Sequence, residues 1–136
     1  MALMDFTEKM MCGIPEIDGQ HTKLIAIIND LYNVALGRTN IAELERVFDE
    51  LTSYLDSHLA FEEKLFDETG YPQAAKHKAE HDALRKKVAE YRVKANRGPE
   101  LVIALDLLHF LKQWLTNHIL VADKAACAFL NERGQI

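Results

Sequence analysis

The chain has 136 residues, the length of a single domain large enough to bury a hydrophobic core. Hydrophobic residues make up 49% of it and charged residues 27%, a composition that excludes a disordered chain. The formal net charge of -5 offers no basic surface to a phosphate backbone or an anionic membrane, so we expect neither nucleic acid nor a membrane as a partner.

Two amphipathic helices are predicted in the first half of the chain, where apolar residues recur with the period of an α-helix. The first helix runs from about Asp18, a candidate N-cap, to Leu36. The second helix begins near Asn40, which together with Glu43 resembles a capping box. It ends at Gly70, a residue suited to the left-handed conformation that follows a helix.

Two further helices are predicted in the second half. Pro72 suits the first turn of the third helix, which reaches to about Ala95. Gly98 and Pro99 separate it from the fourth helix, which ends near Leu130. Connections this short make consecutive helices turn back on one another, so we predict an all-α fold, an up-down-up-down four-helix bundle.

We assign residues 1–136 to a single domain, with a short N-terminal arm over 1–16 and the bundle over 17–131. The sequence carries no signal peptide and no apolar stretch long enough to cross a bilayer, which predicts a cytoplasmic protein. Cys12 and Cys127 fall near the same end of the bundle. We expect them to be unpaired small hydrophobic residues, with a redox-sensitive disulfide as the alternative.

Seven polar side chains interrupt the apolar faces of these helices. Every helix directs at least one histidine inward, and the second and fourth helices each add a carboxylate. The seven are His21, His58, Glu62, His77, His81, His118 and Asp123. The starts of the first and third helices and the ends of the second and fourth lie at one end of such a bundle. The rise of about 1.5 Å per residue therefore predicts that all seven converge in one layer.

A dry core could not accommodate so many polar groups, because each unpaired one costs roughly 2–7 kcal/mol to bury. They must satisfy one another, reach solvent or bind metal. Seven ligands exceed a tetrahedral zinc site and suit two ions bridged by carboxylates. Mixed imidazole and carboxylate ligation favours iron, although zinc or manganese could occupy the site in vitro. A ferritin-like di-iron enzyme is disfavoured, because no glutamate has a histidine three residues later.

These motifs, in their order, resemble the hemerythrins, especially the single-domain bacterial ones. The similarity extends from about Cys12 to Leu130. The motifs that carry it are Ile17-Asp18-Gly19-Gln20-His21, His58-x3-Glu62-Glu63, Tyr71-Pro72 followed by His77-x3-His81, and Trp114-Leu115-x2-His118-Ile119-x3-Asp123.

The resemblance implies reversible O2 binding at a non-haem di-iron centre, as an oxygen carrier or store and not an enzyme. It implies that one iron is held by three imidazoles and the other by two, which leaves the second iron an open position for O2. Two carboxylates and an oxo or hydroxo group would bridge the irons. The first iron would be held by His77, His81 and His118, and the second by His21 and His58. The bridging carboxylates would be Glu62 and Asp123.

Helical offset and analogy with the family also suggest an apolar O2 pocket, whose walls would exclude water. Its proposed residues are Leu24, Leu59, Leu115 and Ile119. Ordinary core packing is the alternative for each of them. Leu59 stands where many relatives have phenylalanine, a difference that bears on the shape of the pocket.

Several positions beside the predicted ligands leave alternatives open. Asp123 lies five residues after His118, about 140° around an ideal helix. The two side chains must approach the site from opposite flanks of the helix, or a local bulge must realign them. Glu63 is expected to be solvated or to support a ligand, Gln20 to support a ligand or cap the helix, and His109 to lie on the surface.

Three other functions compete with oxygen carriage. The first is sensing, in which a protein partner responds to O2 or to the redox state of the site. The second is a di-iron enzyme that reduces peroxide or nitric oxide, for which the sequence offers no separate acid, base or substrate pocket. The third is a metal-free structural bundle, which the buried polar residues argue against.

Overall fold

All regular elements in the described part of the chain, residues 2–38 and 40–133 of this computed structural model, are helical. The first and last residues of the predicted domain lie outside that part. The five α-helices are α1 (Pro15–Ala35), α2 (Leu44–Thr69), α3 (Ala74–Arg97), α4 (Glu100–His118) and α5 (Lys124–Glu132). Short 3-10 turns cover Glu8–Met10 and Ile41–Glu43, and a π-helical segment covers Ile119–Asp123.

The start of α1 differs from the prediction. The helix begins at Pro15 and not at Asp18, because a proline fits the first turn, where its missing N–H needs no partner. Asp18 therefore lies inside the helix and does not occupy the N-cap position. Its carboxylate instead accepts the backbone N–H groups of Cys12 at 2.9 Å and Gly13 at 3.2 Å, which ties the preceding segment to α1.

The end of α2 follows the predicted signal, but its start does not, because the α-helix begins at Leu44 and Asn40 caps the 3-10 turn Ile41–Glu43 that precedes it. The Asn40 side chain accepts the backbone N–H of Ala42 at 3.0 Å, while the Glu43 side chain pairs with Arg46, so no capping box forms. Gly70 ends the helix with φ +72°, the left-handed conformation that the sequence predicted.

Two groups of buried apolar residues form the core. The larger group is contributed by all four long helices, with α1 in contact with α2 and α4, and α3 in contact with the same two helices. Phe48, Leu51 and Leu108 are among its fully buried members. The smaller group comprises Ile14, Ile17, Phe66, Ala126, Cys127 and Leu130.

The predicted ligand positions fall between these two groups along the chain. In α1, His21 lies between Ile17 of the smaller group and Leu24 of the larger one. In α2, Glu62 likewise lies between Leu59 and Phe66. The polar layer thus separates the main core from a small core that also contains part of α5.

The predicted fourth helix is two α-helices joined by a π-helical segment. Five residues, Ile119–Asp123, take the wider π geometry before α5 begins at Lys124. The extra residue in this turn rotates Asp123 back toward the face that carries His118. Of the two predicted alternatives, the local bulge is therefore the correct one.

The expectation of unpaired cysteines is wrong, since a disulfide joins Cys12 to Cys127. The two Cα atoms are 5.7 Å apart, a normal separation for a disulfide. The residues are 115 positions apart in the chain, so their pairing follows from the way the segment before α1 folds back onto α5. None of the described helices combines the length and hydrophobicity that a membrane crossing requires.

Candidate metal centre

The structure brings all seven predicted ligand side chains together in the buried layer. None of them is more than 5% exposed. Their ligand atoms form two overlapping groups, and within each group the atoms lie within 4.8 Å of one another. One group is Glu62, His77, His81, His118 and Asp123, and the other is His21, His58, Glu62 and Asp123. The two carboxylates are common to both groups.

In the first group, three imidazole Nε2 atoms face one another. Nε2 of His118 lies 3.1 Å from that of His77 and 3.2 Å from that of His81. On the outer edges of the rings, His81 Nδ1 lies 2.9 Å from a Glu63 oxygen and His118 Nδ1 lies 3.3 Å from a Glu80 oxygen. A carboxylate can only accept, so these Nδ1 atoms carry the protons and their Nε2 lone pairs point inward.

The second group has a similar arrangement with a neutral outer partner. Nδ1 of His58 lies 2.7 Å from the side-chain oxygen of Gln20, so it donates its proton outward. Its Nε2 lies 3.3 Å from Glu62, on the inner side. Nε2 of His21 lies 3.1 Å from Asp123 and 3.5 Å from Glu62.

Several buried polar atoms at the centre lack a hydrogen-bond partner among the described residues. They are both nitrogens of His21 and all four carboxylate oxygens of Glu62 and Asp123. Neighbouring imidazole nitrogens lie within 2.9–3.6 Å of these oxygens, but not in hydrogen-bonding geometry. Buried polar groups normally have partners, so lone pairs that converge in this way fit a site for cations.

In the absence of metal, the carboxylates of the cluster raise the pKa values of two of its histidines. Burial lowers the pKa of His21, but the adjoining Asp123 and Glu62 carboxylates outweigh this effect and raise the pKa to about 9. The pKa of His77 is also raised to about 9, because the same two carboxylates outweigh the effect of burial. Burial raises the pKa of Glu62, yet its interactions with His58 and with the other imidazoles hold it well below its usual value. Burial and the Glu62 charge raise the pKa of Asp123, but three imidazoles outweigh them and lower it.

Residues around the cluster support the imidazoles. Glu63 accepts from His81 and also from Arg85, whose Nη1 lies 2.6 Å from the same carboxylate oxygen. The Trp114 ring stacks on His118 with 4.4 Å between ring centroids. Sequence reasoning missed Arg85 and Glu80; the position of Glu80, one turn after His77, was the available signal for it.

The four residues proposed for an O2 pocket all lie in the main core. Each is at most 2% exposed, so water is excluded from their surroundings. The residues are Leu24, Leu59, Leu115 and Ile119, and all four belong to the same buried cluster. Their role as walls of a pocket remains a prediction, as does ligation by the seven polar residues.

Replacing Glu63 with glutamine is expected to weaken zinc binding by the metal-free protein about tenfold, because the neutral amide orients His81 but no longer makes it more basic. Competition with a chromogenic chelator measures this affinity. Glu68→Gln, an exposed position on the same helix, is the matched control and should bind zinc as the wild type does. Equal affinities for both variants would show that Glu63 does not act on the metal site.

Comparisons with known proteins agree with this geometry. Residues 12–127 match the family model of the Hemerythrin HHE cation binding domain. A bacteriohemerythrin of Stenotrophomonas maltophilia is 41% identical over 125 residues, which are 92% of this chain and 80% of the relative. A bacteriohemerythrin of Methylococcus capsulatus is 34% identical over 125 residues, 91% of this chain and 94% of the relative. A crystal structure of a hemerythrin point mutant, 30% identical, superposes with a TM-score of 0.79 over 93% of this chain and 98% of its own. The chain therefore belongs to the hemerythrin family.

Proposed function

We propose that this protein binds O2 reversibly at a non-haem di-iron centre and serves as an oxygen carrier or store. Hemerythrins are known for di-iron O2 binding. The observation that carries the proposal is the pair of overlapping ligand groups that share two buried carboxylates. Two groups with shared members are the arrangement that a bridged pair of ions requires.

The proposed ligands divide three to two, with two bridges. One iron would be held by His77, His81 and His118, the other by His21 and His58, and Glu62 and Asp123 would bridge them. Imidazole and carboxylate donors together suit iron. When bound, the two irons would supply the two electrons that reversible O2 binding takes.

The protein's own residues would hold protons and exclude water. His81, His118 and His58 keep their Nδ1 protons on outward hydrogen bonds, which leaves each Nε2 free to ligate. Leu24, Leu59, Leu115 and Ile119 would form the walls of the O2 pocket. Their burial supports this role, because a dry apolar site suppresses side reactions with water.

We also propose that the four long helices run up-down-up-down after a short N-terminal arm. The short connections between them and the contacts of α1 and α3 with both α2 and α4 support this order. It is the order that would bring the starts of α1 and α3 and the ends of α2 and α4 to the same layer.

The test is an iron analysis combined with a visible spectrum recorded through repeated deoxygenation and oxygenation. About two irons per chain and a charge-transfer band that returns in each cycle are expected. Irreversible bleaching would contradict oxygen carriage and favour a sensor or an enzyme. Turnover assays with hydrogen peroxide and nitric oxide would distinguish an enzyme from a sensor. Homologues in the hemerythrin family are oxygen-binding proteins rather than enzymes, which supports the proposal of oxygen carriage.

A further inference from the structure

The disulfide between Cys12 and Cys127 is connected to the segments that carry two of the proposed ligands. Cys127 is in α5, four residues after Asp123. Cys12 is fastened to the start of α1, because its backbone N–H donates to the carboxylate of Asp18, three residues before His21. The cross-link therefore joins the segments that carry His21 and Asp123, and Nε2 of His21 lies 3.1 Å from Oδ2 of Asp123.

A small core packs around the buried end of this cross-link, and Phe129 of α5 also contacts Tyr71, with 5.2 Å between ring centroids. The small core around Cys127 has six buried members and is separated from the main core by the polar layer. Asn131 of α5 donates to the backbone carbonyl of Cys12 at 3.0 Å, but Asn131 is exposed. The disulfide is the covalent cross-link between α5 and the segment before α1, and through α5 it restrains the π-helical segment that ends at Asp123.

We propose that Cys12 and Cys127 form a second redox site, a disulfide opened by dithiol reductants, whose opening speeds the loss of metal from the centre. The inference rests on the metal centre of the proposed function. Cys12 is half-buried whereas Cys127 is buried, so a reductant would approach the disulfide from the side of Cys12.

The exchange reaction balances without the metal. A thiolate of the reductant attacks one sulfur, the S–S bond breaks, and a mixed disulfide forms. The second thiol of the reductant then releases the protein. The cysteine pair gains two electrons and two protons and becomes two thiols, while the reductant becomes a disulfide. Reduction removes the covalent link between α5 and the segment before α1 and leaves only non-covalent contacts between them, so that His21 and Asp123 can separate more readily.

The test uses zinc-loaded protein, which keeps it independent of O2 chemistry. Zinc release to an excess of chelator is followed for the oxidised and the reduced protein, and mass spectrometry verifies the thiol state. Release is expected to be about tenfold faster after reduction, comparable with losing a contact that orients a ligand. The Cys12→Ser/Cys127→Ser double variant is the control, and it should release zinc quickly with and without reductant.

A second measurement needs no metal. Urea unfolding of the metal-free protein should have a lower midpoint after reduction, because opening the cross-link increases the entropy of the unfolded chain. Equal zinc release by oxidised and reduced protein would overturn the proposal, whether or not the urea midpoint moves. So would two titratable thiols that persist after mild oxidation. Either result would leave reversible O2 binding by the iron-loaded protein unaffected.

Discussion

Glutamine in place of Glu62 is expected to lower the metal content of the purified protein from the proposed two ions per chain to one or fewer. Glu62 belongs to both ligand groups, and each of its oxygens lies within 3.6 Å of imidazole nitrogens. Glutamine keeps the volume but offers one neutral oxygen in place of two charged ones. Affinity for the second ion should fall by at least about 100-fold, since removing even an outer partner of a ligand costs about 10- to 100-fold.

Metal analysis after loading with ferrous iron under anaerobic conditions measures this effect, and circular dichroism verifies the helical fold. Asp123→Asn should behave in the same way, because Asp123 is the other shared carboxylate. The exposed Glu68→Gln variant should retain about two ions. A Glu62→Gln protein that loads two ions as tightly as the wild type would contradict a bridging role for this residue.

The positions of the seven polar residues could be predicted because they depend on regular geometry. The helical period places His58 and Glu62 on one face of α2, and His77 and His81 on one face of α3. Their convergence follows from the constant rise per residue, since short connections fix where each helix begins and ends. Departures of up to four residues at the helix ends, as at Pro15 and Leu44, do not prevent the seven side chains from converging.

Other features depend on contacts between segments that are distant in the sequence. Arg85 reaches Glu63 from the neighbouring helix, and no spacing rule relates the two. The pairing of Cys12 with Cys127 requires the segment before α1 to lie against α5, which local propensity does not determine. The π-helical turn could be predicted only as one of two alternatives, because the sequence of Ile119–Asp123 contains no glycine or proline to mark an interruption of the α-helix.

The charge balance of the metal-free site explains how so polar a layer can be buried before metal binds. Protonated His21 and His77 face ionised Glu62 and Asp123, so two positive charges offset two negative ones. A metal-free bundle can therefore fold, but it retains protons that a metal must displace. Metal affinity should consequently rise with pH until these two imidazoles are neutral.

The stability of the metal-free protein is therefore expected to fall between about pH 6.5 and pH 9. The pKa values of His21 and His77 are raised from 6.5 to about 9 in the folded protein, so their stabilising protons are fully present below pH 6.5 and lost as the pH rises through 9. A shift of this size corresponds to stabilisation on the order of 3 kcal/mol for an imidazole. At acid pH the dependence has the opposite sign, and stability falls as the pH is lowered. The pKa values of Glu62 and Asp123 are lowered, so their contribution is present above about pH 4.5 and is lost as the pH falls.

Urea unfolding of the metal-free protein at a series of pH values should therefore give a maximum of stability between about pH 5 and pH 6.5. The Glu62→Gln variant should show a smaller decline above pH 6.5, because it lacks one of the two carboxylates that raise the histidine pKa values. Saturating zinc should reverse the trend in the wild type, since zinc binds the deprotonated imidazoles more tightly as the pH rises. A metal-free stability that stays constant or increases from pH 6.5 to pH 9 would show that His21 and His77 fold as neutral imidazoles.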